Sequence, residues 1–224
     1  MTRKKHSVIF IGNQPDYDIL SSSKSWKKNV FLQKYFLIRP KELPKRILNS
    51  FLPPIFSKGK PHKVHVDFVG PCLGLLLLNV LLHLGHAYKS PEAAVDMAPL
   101  RVLSVYSVLT PLFTYFLAIL CQTSIKFSEL LALFGYGLYG HVFTLGFSLF
   151  FYDEASNLFF LLCLILFSGL STLRIALVLL TSIPKPIFRL LLCSVVSITQ
   201  ILVLIFFHFV YMHRTFVYAP NNAW

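Results

Sequence analysis

The chain of 224 residues is 55% hydrophobic and only 13% charged, with a formal net charge of +12. Soluble domains usually carry about 25% charged residues, and here the apolar residues form long blocks that a water-soluble core cannot absorb. This composition excludes a soluble enzyme, a disulfide scaffold and a disordered chain. It also argues against nucleic acid as a partner, because the positive charge lies beside membrane-length apolar runs.

The first 66 residues form a polar, basic tail. The tail begins MTRKKHSVIF, which has no apolar run of signal-peptide length, so we predict no cleaved signal. Six prolines interrupt helical periodicity: Pro15, Pro40, Pro44, Pro53, Pro54 and Pro61. We therefore predict a mostly flexible cytosolic tail over 1–66, with short amphipathic pieces at 30–38 and 45–56.

Five windows without Asp, Glu, Lys or Arg follow the tail. A membrane helix needs roughly 20 mostly apolar residues, and lipid cannot hydrogen-bond backbone amides, so each segment should be helical. The predicted spans lie at about 68–88, 102–124, 130–151, 157–180 and 190–211. The predicted fold is an all-α polytopic membrane protein with a five-helix domain at 67–213 and a short luminal tail at 214–224.

Lysine and arginine are distributed unevenly around these spans. The tail before the first span holds 14 of the 21, and the loops after spans two and four add Lys126, Lys185 and Arg189. Because positive residues stay on the cytosolic side, we predict a cytosolic N-terminus and a luminal C-terminus. The tail can also lie on an anionic leaflet, or its charges can serve only to fix orientation.

Arg174 is the charged residue inside a predicted span. Charges within the membrane are costly and often functional. Two interpretations stay open: the side chain reaches back to the cytosolic surface as an anchor, or it faces the bundle and binds backbone carbonyls or a partner subunit.

Histidines and cysteines within the spans raise the question of a metal site. No carboxylate accompanies His83, His86, His141 and His208 in the spans, so we predict packing or interfacial histidines and expect no metal and no other cofactor. The spans also hold Cys72, Cys121, Cys163 and Cys193. Their positions disfavour a luminal disulfide and leave open inert buried thiols or palmitoylation near the cytosolic face.

Small residues gather in spans one, three and four, where they let helix backbones approach closely. They are Gly70 and Gly74 in span one, Gly135, Gly137, Gly140 and Gly146 in span three, and SGLST (168–172) in span four. These three spans are predicted to make the tightest contacts, within the chain or with a partner.

Several of these blocks resemble a known family. LLALFGYGLYGH (130–141), SGLSTLRIALVLL (168–180), RLLLCS (189–194) and HFVYMH (208–213) look like the Yip-domain (YIPF) family of five-span Golgi membrane proteins, closest to its member-three type. VDFVGP (66–71) resembles the family's Asp-Leu-Tyr-Gly-Pro opening motif: Asp67, Gly70 and Pro71 match, and Val69 replaces the tyrosine. The resemblance covers roughly 66–213.

The resemblance implies the same orientation as the charge count. It also implies residence in the early Golgi, a role in Golgi organisation and vesicle traffic, interaction with Ypt/Rab GTPases, and assembly with a second Yip-family protein. It further implies selective autophagy of the Golgi through a short cytosolic motif. No Asn-x-Ser/Thr sequon is present, so we expect no N-glycosylation, although the member-three branch carries a glycosylated luminal tail.

The sequence DYDILSSS (16–23) offers a candidate for such a motif. Tyr17 and Leu20 fit an aromatic-x-x-aliphatic pattern in which two side chains enter pockets while the backbone extends a partner's sheet. The neighbouring serines can add charge by phosphorylation. The same letters fit a tyrosine-based sorting signal or a chance match, so three interpretations stay open.

These observations predict a Golgi membrane scaffold or adaptor without catalytic residues. Its partners would be the lipid bilayer, a second Yip-family protein, and Rab GTPases or autophagy adaptors bound by the tail. Asp67 and Pro71 would set the start of the first span. The residues predicted for partner binding or helix packing are Asp67, Gly70, Pro71, Gly135, Tyr136, Gly137, Gly140, His141 and Arg174.

Two other classes stay as alternatives. A small transporter or channel would need a water-filled path that reaches Arg174 or His141. A membrane-embedded enzyme would need paired carboxylates or a metal set, which the spans lack.

Overall fold

The computed structural model describes residue 36 and residues 40–51, 66–89, 98–123, 125–151 and 157–212, and these residues form helices and no strand. A 3-10 turn at Pro40–Glu42 leads into the short helix α1 (Leu43–Phe51). Five longer helices follow: α2 (Val69–Lys89), α3 (Pro99–Leu120), α4 (Phe127–Phe150), α5 (Leu158–Ser182) and α6 (Pro186–Met212). Each of these five is long and apolar enough to cross a membrane, so the predicted all-α fold with five membrane helices is confirmed.

Three of the long helices, α3, α4 and α6, begin three or four residues before the predicted spans. The prediction began each span after the nearest charge, whereas other groups start these helices. Pro99 and Pro186 occupy the first positions of α3 and α6, where the missing N–H costs nothing. In α4, the side chain of Glu129 accepts a hydrogen bond from the backbone N–H of Lys126 at 3.0 Å.

The helix α4 lies at the centre of the bundle. In its most apolar stretch 72% of the residues are buried, compared with 28–39% in the other four long helices. It contacts every other long helix, most extensively α5 and then α2. Residues on α4 are therefore the ones that position groups from several helices at once.

The outer faces of the bundle are apolar. On α3 and α6 large exposed side chains include Val108, Phe116, Leu190 and Leu202. Exposed apolar surface of this extent is unusual for a soluble monomer, and in a bilayer it contacts lipid tails.

The helix α2 begins late relative to its neighbours. Its first turn lies beside Gly135 and Tyr136, eight residues into α4, which corresponds to about 12 Å along that helix. We call the half of the bundle in which α2 and α4 begin, and α3 and α5 end, the proximal half. In this half α1 packs against α4 and α5.

The helix α5 contains a π-helical turn at Leu164–Gly169, which the sequence patterns did not predict. A π turn closes i→i+5 bonds and carries extra backbone within an α-helix. The Thr144 hydroxyl of α4 lies 3.2 Å from the Cys163 carbonyl at the start of this turn. The same hydroxyl lies 2.8 Å from the Gly140 carbonyl of its own helix, so its single hydrogen is shared between the two carbonyls.

Candidate functional site in the proximal half of the bundle

Asp67, two residues before the start of α2, is the centre of a buried polar cluster. Its carboxylate pairs with the Arg46 guanidinium of α1 at 2.7 Å and accepts the Tyr136 hydroxyl of α4 at 2.8–2.9 Å. One carboxylate oxygen also accepts the Gly70 N–H at 3.2 Å, as expected for an aspartate that caps a helix N-terminus. Asp67 thus joins α1, α2 and α4.

Arg46 brings a positive charge from α1 to this carboxylate. Burial tends to lower the pKa of the guanidinium, but the hydrogen bond and the negative charge of Asp67 outweigh burial, so its pKa is raised above the ordinary arginine value. Glu42, half exposed one turn earlier, lies 2.9 Å from the same guanidinium. The Arg46 charge is therefore held between a buried and an exposed carboxylate.

Arg174 of α5 contacts the C-terminal end of α1. Its guanidinium donates a hydrogen bond to the backbone carbonyl of Asn49, which lies in the last turn of α1, where carbonyls lack helical donors. A cavity of about 20 Å³ between Arg46, Ser50, Tyr136 and Arg174 has room for roughly one water. The structure thus places the Arg174 guanidinium on a backbone carbonyl of α1, the helix that precedes the first span.

We call Arg46, Asn49, Asp67, Tyr136 and Arg174 the Asp67 cluster. The sequence selected Asp67, Tyr136 and Arg174, and the structure brings these three together. The sequence did not select Arg46 and Asn49, because its prolines predict a flexible tail over residues 40–51. The amphipathic piece predicted at 45–56 overlaps α1 and was the signal that pointed to them.

Close contacts between α2 and α4 fix the position of the cluster. A Cβ atom at Gly135 would lie 2.4 Å from Cβ of Pro71, and one at Gly70 would lie 2.4 Å from the Tyr136 hydroxyl oxygen. Tyr139 adds a hydrogen bond to the Gly70 carbonyl at 2.9 Å. The selected residues Gly70, Pro71 and Gly135 therefore allow an approach that side chains would prevent.

Gly137 and Gly140 form the corresponding contacts with α5. A Cβ atom at Gly137 would lie 2.8 Å from the flexible end of Ile175. At Gly140 it would lie 2.8 Å from Cβ of Ser171 and 3.2 Å from the backbone oxygen of Phe167. These glycine faces are used within the chain, so replacing them would disturb the chain's own packing first.

His141 belongs to a second polar group, which we call the His141 network. Its Nε2 lies 3.4 Å from the Tyr106 hydroxyl, and that hydroxyl donates to Oε1 of Gln200 at 2.6 Å. The three side chains join α3, α4 and α6. The sequence did not select Tyr106 or Gln200; the signal for Gln200 was a polar amide within an apolar span.

The other histidines and the cysteines are spread over the bundle. His83 is exposed and His86 half-buried on α2, and buried His208 on α6 stacks on Phe160 with ring centroids 3.7 Å apart. Within the described ranges, no three His, Cys, Asp or Glu side chains are grouped to hold a metal ion. The four thiols are free, with Cys72 exposed and Cys121, Cys163 and Cys193 buried.

Some predictions fall on residues outside the described ranges. Tyr17 and Leu20 lie there, as do the C-terminal tail 214–224 and all of the piece at 30–38 except Phe36. The proposals that depend on the Tyr17 motif therefore rest on the sequence.

Five membrane-length helices around a central α4, with charged groups paired inside the bundle, define a multi-pass helical membrane protein. Residues 40–212 match the family model described as the YIPF3 C-terminal domain. The chain belongs to the YIPF family, so the member-three type predicted from the motifs is confirmed. No solved structure matches the chain.

The matched region begins before the first span. The motifs placed the start of the family domain near residue 66, whereas the match starts at residue 40 and includes α1. Within this family α1 is thus part of the domain, in agreement with its contacts to Asp67 and Arg174.

Proposed function

We propose that this protein is a non-catalytic scaffold or adaptor of Golgi membranes that acts in Golgi organisation and ER–Golgi vesicle traffic. The observation that carries the proposal is the docking of α1 on the bundle by Arg46, Asn49 and Arg174, within the region that matches the family. This docking fixes where the N-terminal tail leaves the membrane domain. A tail held at a fixed place suits the recruitment of other proteins.

The proposed orientation places the N-terminus and the proximal half on the cytosolic side. The 14 lysines and arginines before the first span support it. The C-terminal end of α6 is then luminal. Protease protection of tags at the two termini in sealed Golgi vesicles tests this orientation: the N-terminal tag should be digested and the C-terminal tag protected.

The proposed membrane partner is a second Yip-family protein with five spans. The glycine faces of α4 are occupied by Pro71, Ile175 and Ser171 of the same chain, so the partner would bind elsewhere. The outer faces of α3 and α6, which expose large apolar side chains, are the surfaces available for a partner helix. Tail residues around Tyr17 and Leu20 would bind a Rab GTPase or an autophagy adaptor.

Gentle-detergent purification of the tagged full chain from its own cells, followed by mass spectrometry, tests this function. We expect a second five-span Yip-family protein in near-stoichiometric amount. The double variant Tyr17→Ala, Leu20→Ala should lose the soluble partners and keep the membrane partner. Ile19→Ala, which changes an apolar residue that the motif leaves free, is the matched control and should keep both. Recovery of the chain alone as a monodisperse species would contradict the proposal.

A transporter or channel is the second candidate, and the polar sites favour it less. It would need a water-filled path that reaches Arg174 or His141. The cavity beside Arg174 measures about 20 Å³, and the His141 side chain is buried between α3 and α6. Two sites of this kind suit structural polar contacts better than passage of a solute.

A further inference from the structure

A cavity of about 220 Å³ lies between α2, α3 and α4 in the proximal half of the bundle. Its walls include Cys72 and Leu75 of α2, Tyr106 and Pro111 of α3, and Leu131 and Phe134 of α4. We call it the α2–α3–α4 cavity. It borders the α2–α4 contact at Pro71 and Gly135 but contains no member of the Asp67 cluster.

The cavity exists because α2 begins late. The first turn of α2 contacts Gly135 through Pro71, so the earlier turns of α4, at Leu131 and Phe134, have no α2 backbone beside them. On the other wall, Pro111 lies inside α3 and has no N–H to continue the hydrogen-bond ladder. Prolines at such positions commonly bend a helix.

The depth of the cavity matches one leaflet. Its α4 wall runs from Leu131 to Leu138, which is about 10 Å at 1.5 Å per residue. The hydrocarbon core of a bilayer is about 30 Å thick, so each leaflet contributes about half. The cavity therefore lies alongside the acyl chains of a single leaflet, the one on the proximal side.

The walls determine which kind of molecule fits. Most of them are apolar, and an apolar cavity of about 150 Å³ in a protein stays dry and accepts small apolar molecules. The exposed Cys72 lies on the wall, which gives a route from the lipid-facing surface. Phe36 also lines the cavity, with its ring centroid 6.1 Å from that of Phe68.

The cavity is small for a partner helix. Its volume of about 220 Å³ is close to that of a cavity of about 150 Å³ that accepts one small apolar molecule, whereas a helix with side chains is about 10 Å across. A single flexible chain is therefore the occupant that its size favours.

We propose that the α2–α3–α4 cavity holds one acyl chain of a bilayer lipid, bound without a covalent bond, from the leaflet on the proximal side. The lipid enters beside Cys72, and its chain extends between Leu75 and Leu131 toward Tyr106. Phe36, which lines the cavity, lies against the bound chain.

Photolabelling of the full chain in phosphatidylcholine nanodiscs tests the proposal. The lipid carries a diazirine on one acyl chain, and labelled residues are mapped by mass spectrometry. We expect label concentrated on Leu75, Leu131 and Pro111. Leu131→Trp, which fills the cavity, should lose this label. Val108→Trp, a change of similar size on the exposed face of α3, is the matched control and should retain it.

Three results would overturn the proposal. The first is label spread evenly over cavity residues and outer residues such as Val108. The second is unchanged cavity labelling in folded Leu131→Trp. If that variant does not elute as a monodisperse species, Cys72→Phe, at the exposed side of the cavity, takes its place in the same labelling test. The third is an acyl mass mapped to Cys72 that hydroxylamine removes, because a thioester at Cys72 would then supply the chain instead of a free lipid.

Discussion

The Asp67 cluster and the His141 network lie five residues apart on α4, about 8 Å along the helix, yet they bury polar groups differently. The cluster contains charges, and each has a partner: Asp67 pairs with Arg46, and Arg174 binds a carbonyl. The network is uncharged and leaves two atoms, Nδ1 of His141 and Nε2 of Gln200, without a hydrogen-bond partner among the described residues.

The difference follows from the free-energy cost of burying each kind of group in an apolar interior. An unpaired charge costs far more than an unpaired amide or imidazole, and intramembrane charges accordingly pair with one another or with backbone carbonyls. The helix α1 is what supplies both partners here, through Arg46 and through Asn49. A bundle of five spans alone would leave Asp67 and Arg174 without these contacts.

The largest expected effect comes from breaking the charged cluster. Asp67→Asn keeps the shape but leaves Arg46 without its buried carboxylate, and breaking a buried pair from one side costs about 3–5 kcal/mol. The thermal midpoint of the protein in nanodiscs should fall sharply, and protease should gain access to α1. An unchanged midpoint would show that the ion pair does not hold α1 on the bundle.

Gly140 separates the two polar regions along α4, and it has little free space. Gly140→Ala places a methyl group 2.8 Å from Cβ of Ser171 and 3.2 Å from a backbone oxygen, and overpacking of this kind costs about 1–3 kcal/mol. At Gly146 a Cβ atom would meet only Leu81, at 3.9 Å. Gly146→Ala is therefore the matched control and should leave the thermal midpoint unchanged or raised. Equal behaviour of the two variants would argue against the tight α4–α5 contact.

Variants of the uncharged His141 network should lose less stability than those of the Asp67 cluster. Gln200→Leu removes the acceptor of the Tyr106 hydroxyl, and hydrogen bonds between membrane helices contribute about 0.6 kcal/mol on average and up to about 1.7. Adding Tyr106→Phe removes the other partner and should recover part of the loss, since apolar replacement of both partners can be nearly neutral. A double variant that is less stable than Gln200→Leu alone would show that Tyr106 has a further role.

Glu42→Gln should have the smallest effect. Glu42 contacts the same guanidinium as Asp67 but is half exposed, and exposed ion pairs contribute about 0–1 kcal/mol. Its thermal midpoint should stay close to that of the native chain. A loss as large as that of Asp67→Asn would show that Arg46 depends on both carboxylates equally.

The sequence predicted the five long helices well because their uncharged windows are unambiguous. It also identified Asp67, Tyr136 and Arg174, since a charge or a matched motif in a membrane segment stands out. It predicted α1 poorly, because Pro40 and Pro44 were interpreted as helix breakers. Pro44 lies in the first turn of α1, where proline is tolerated because that turn's N–H groups lack helical acceptors.

The His141 network was harder to predict for a different reason. Tyr106 and Gln200 are separated by 94 residues, and one sequence does not reveal which faces of α3 and α6 meet. The rotation of each helix about its own axis had to be known before these side chains could be placed together. The π turn in α5 adds a phase change that hydrophobic periodicity does not record.

That π turn also determines which way Arg174 faces. The turn at Leu164–Gly169 precedes Arg174 on the same helix, and each residue added to or removed from a helix rotates everything after it by about 100°. A chain one residue shorter at this turn would keep the length of α5 nearly unchanged but swing Arg174 away from Asn49. The extra backbone in the π turn thus sets the rotation of the later part of α5 that brings this arginine to α1.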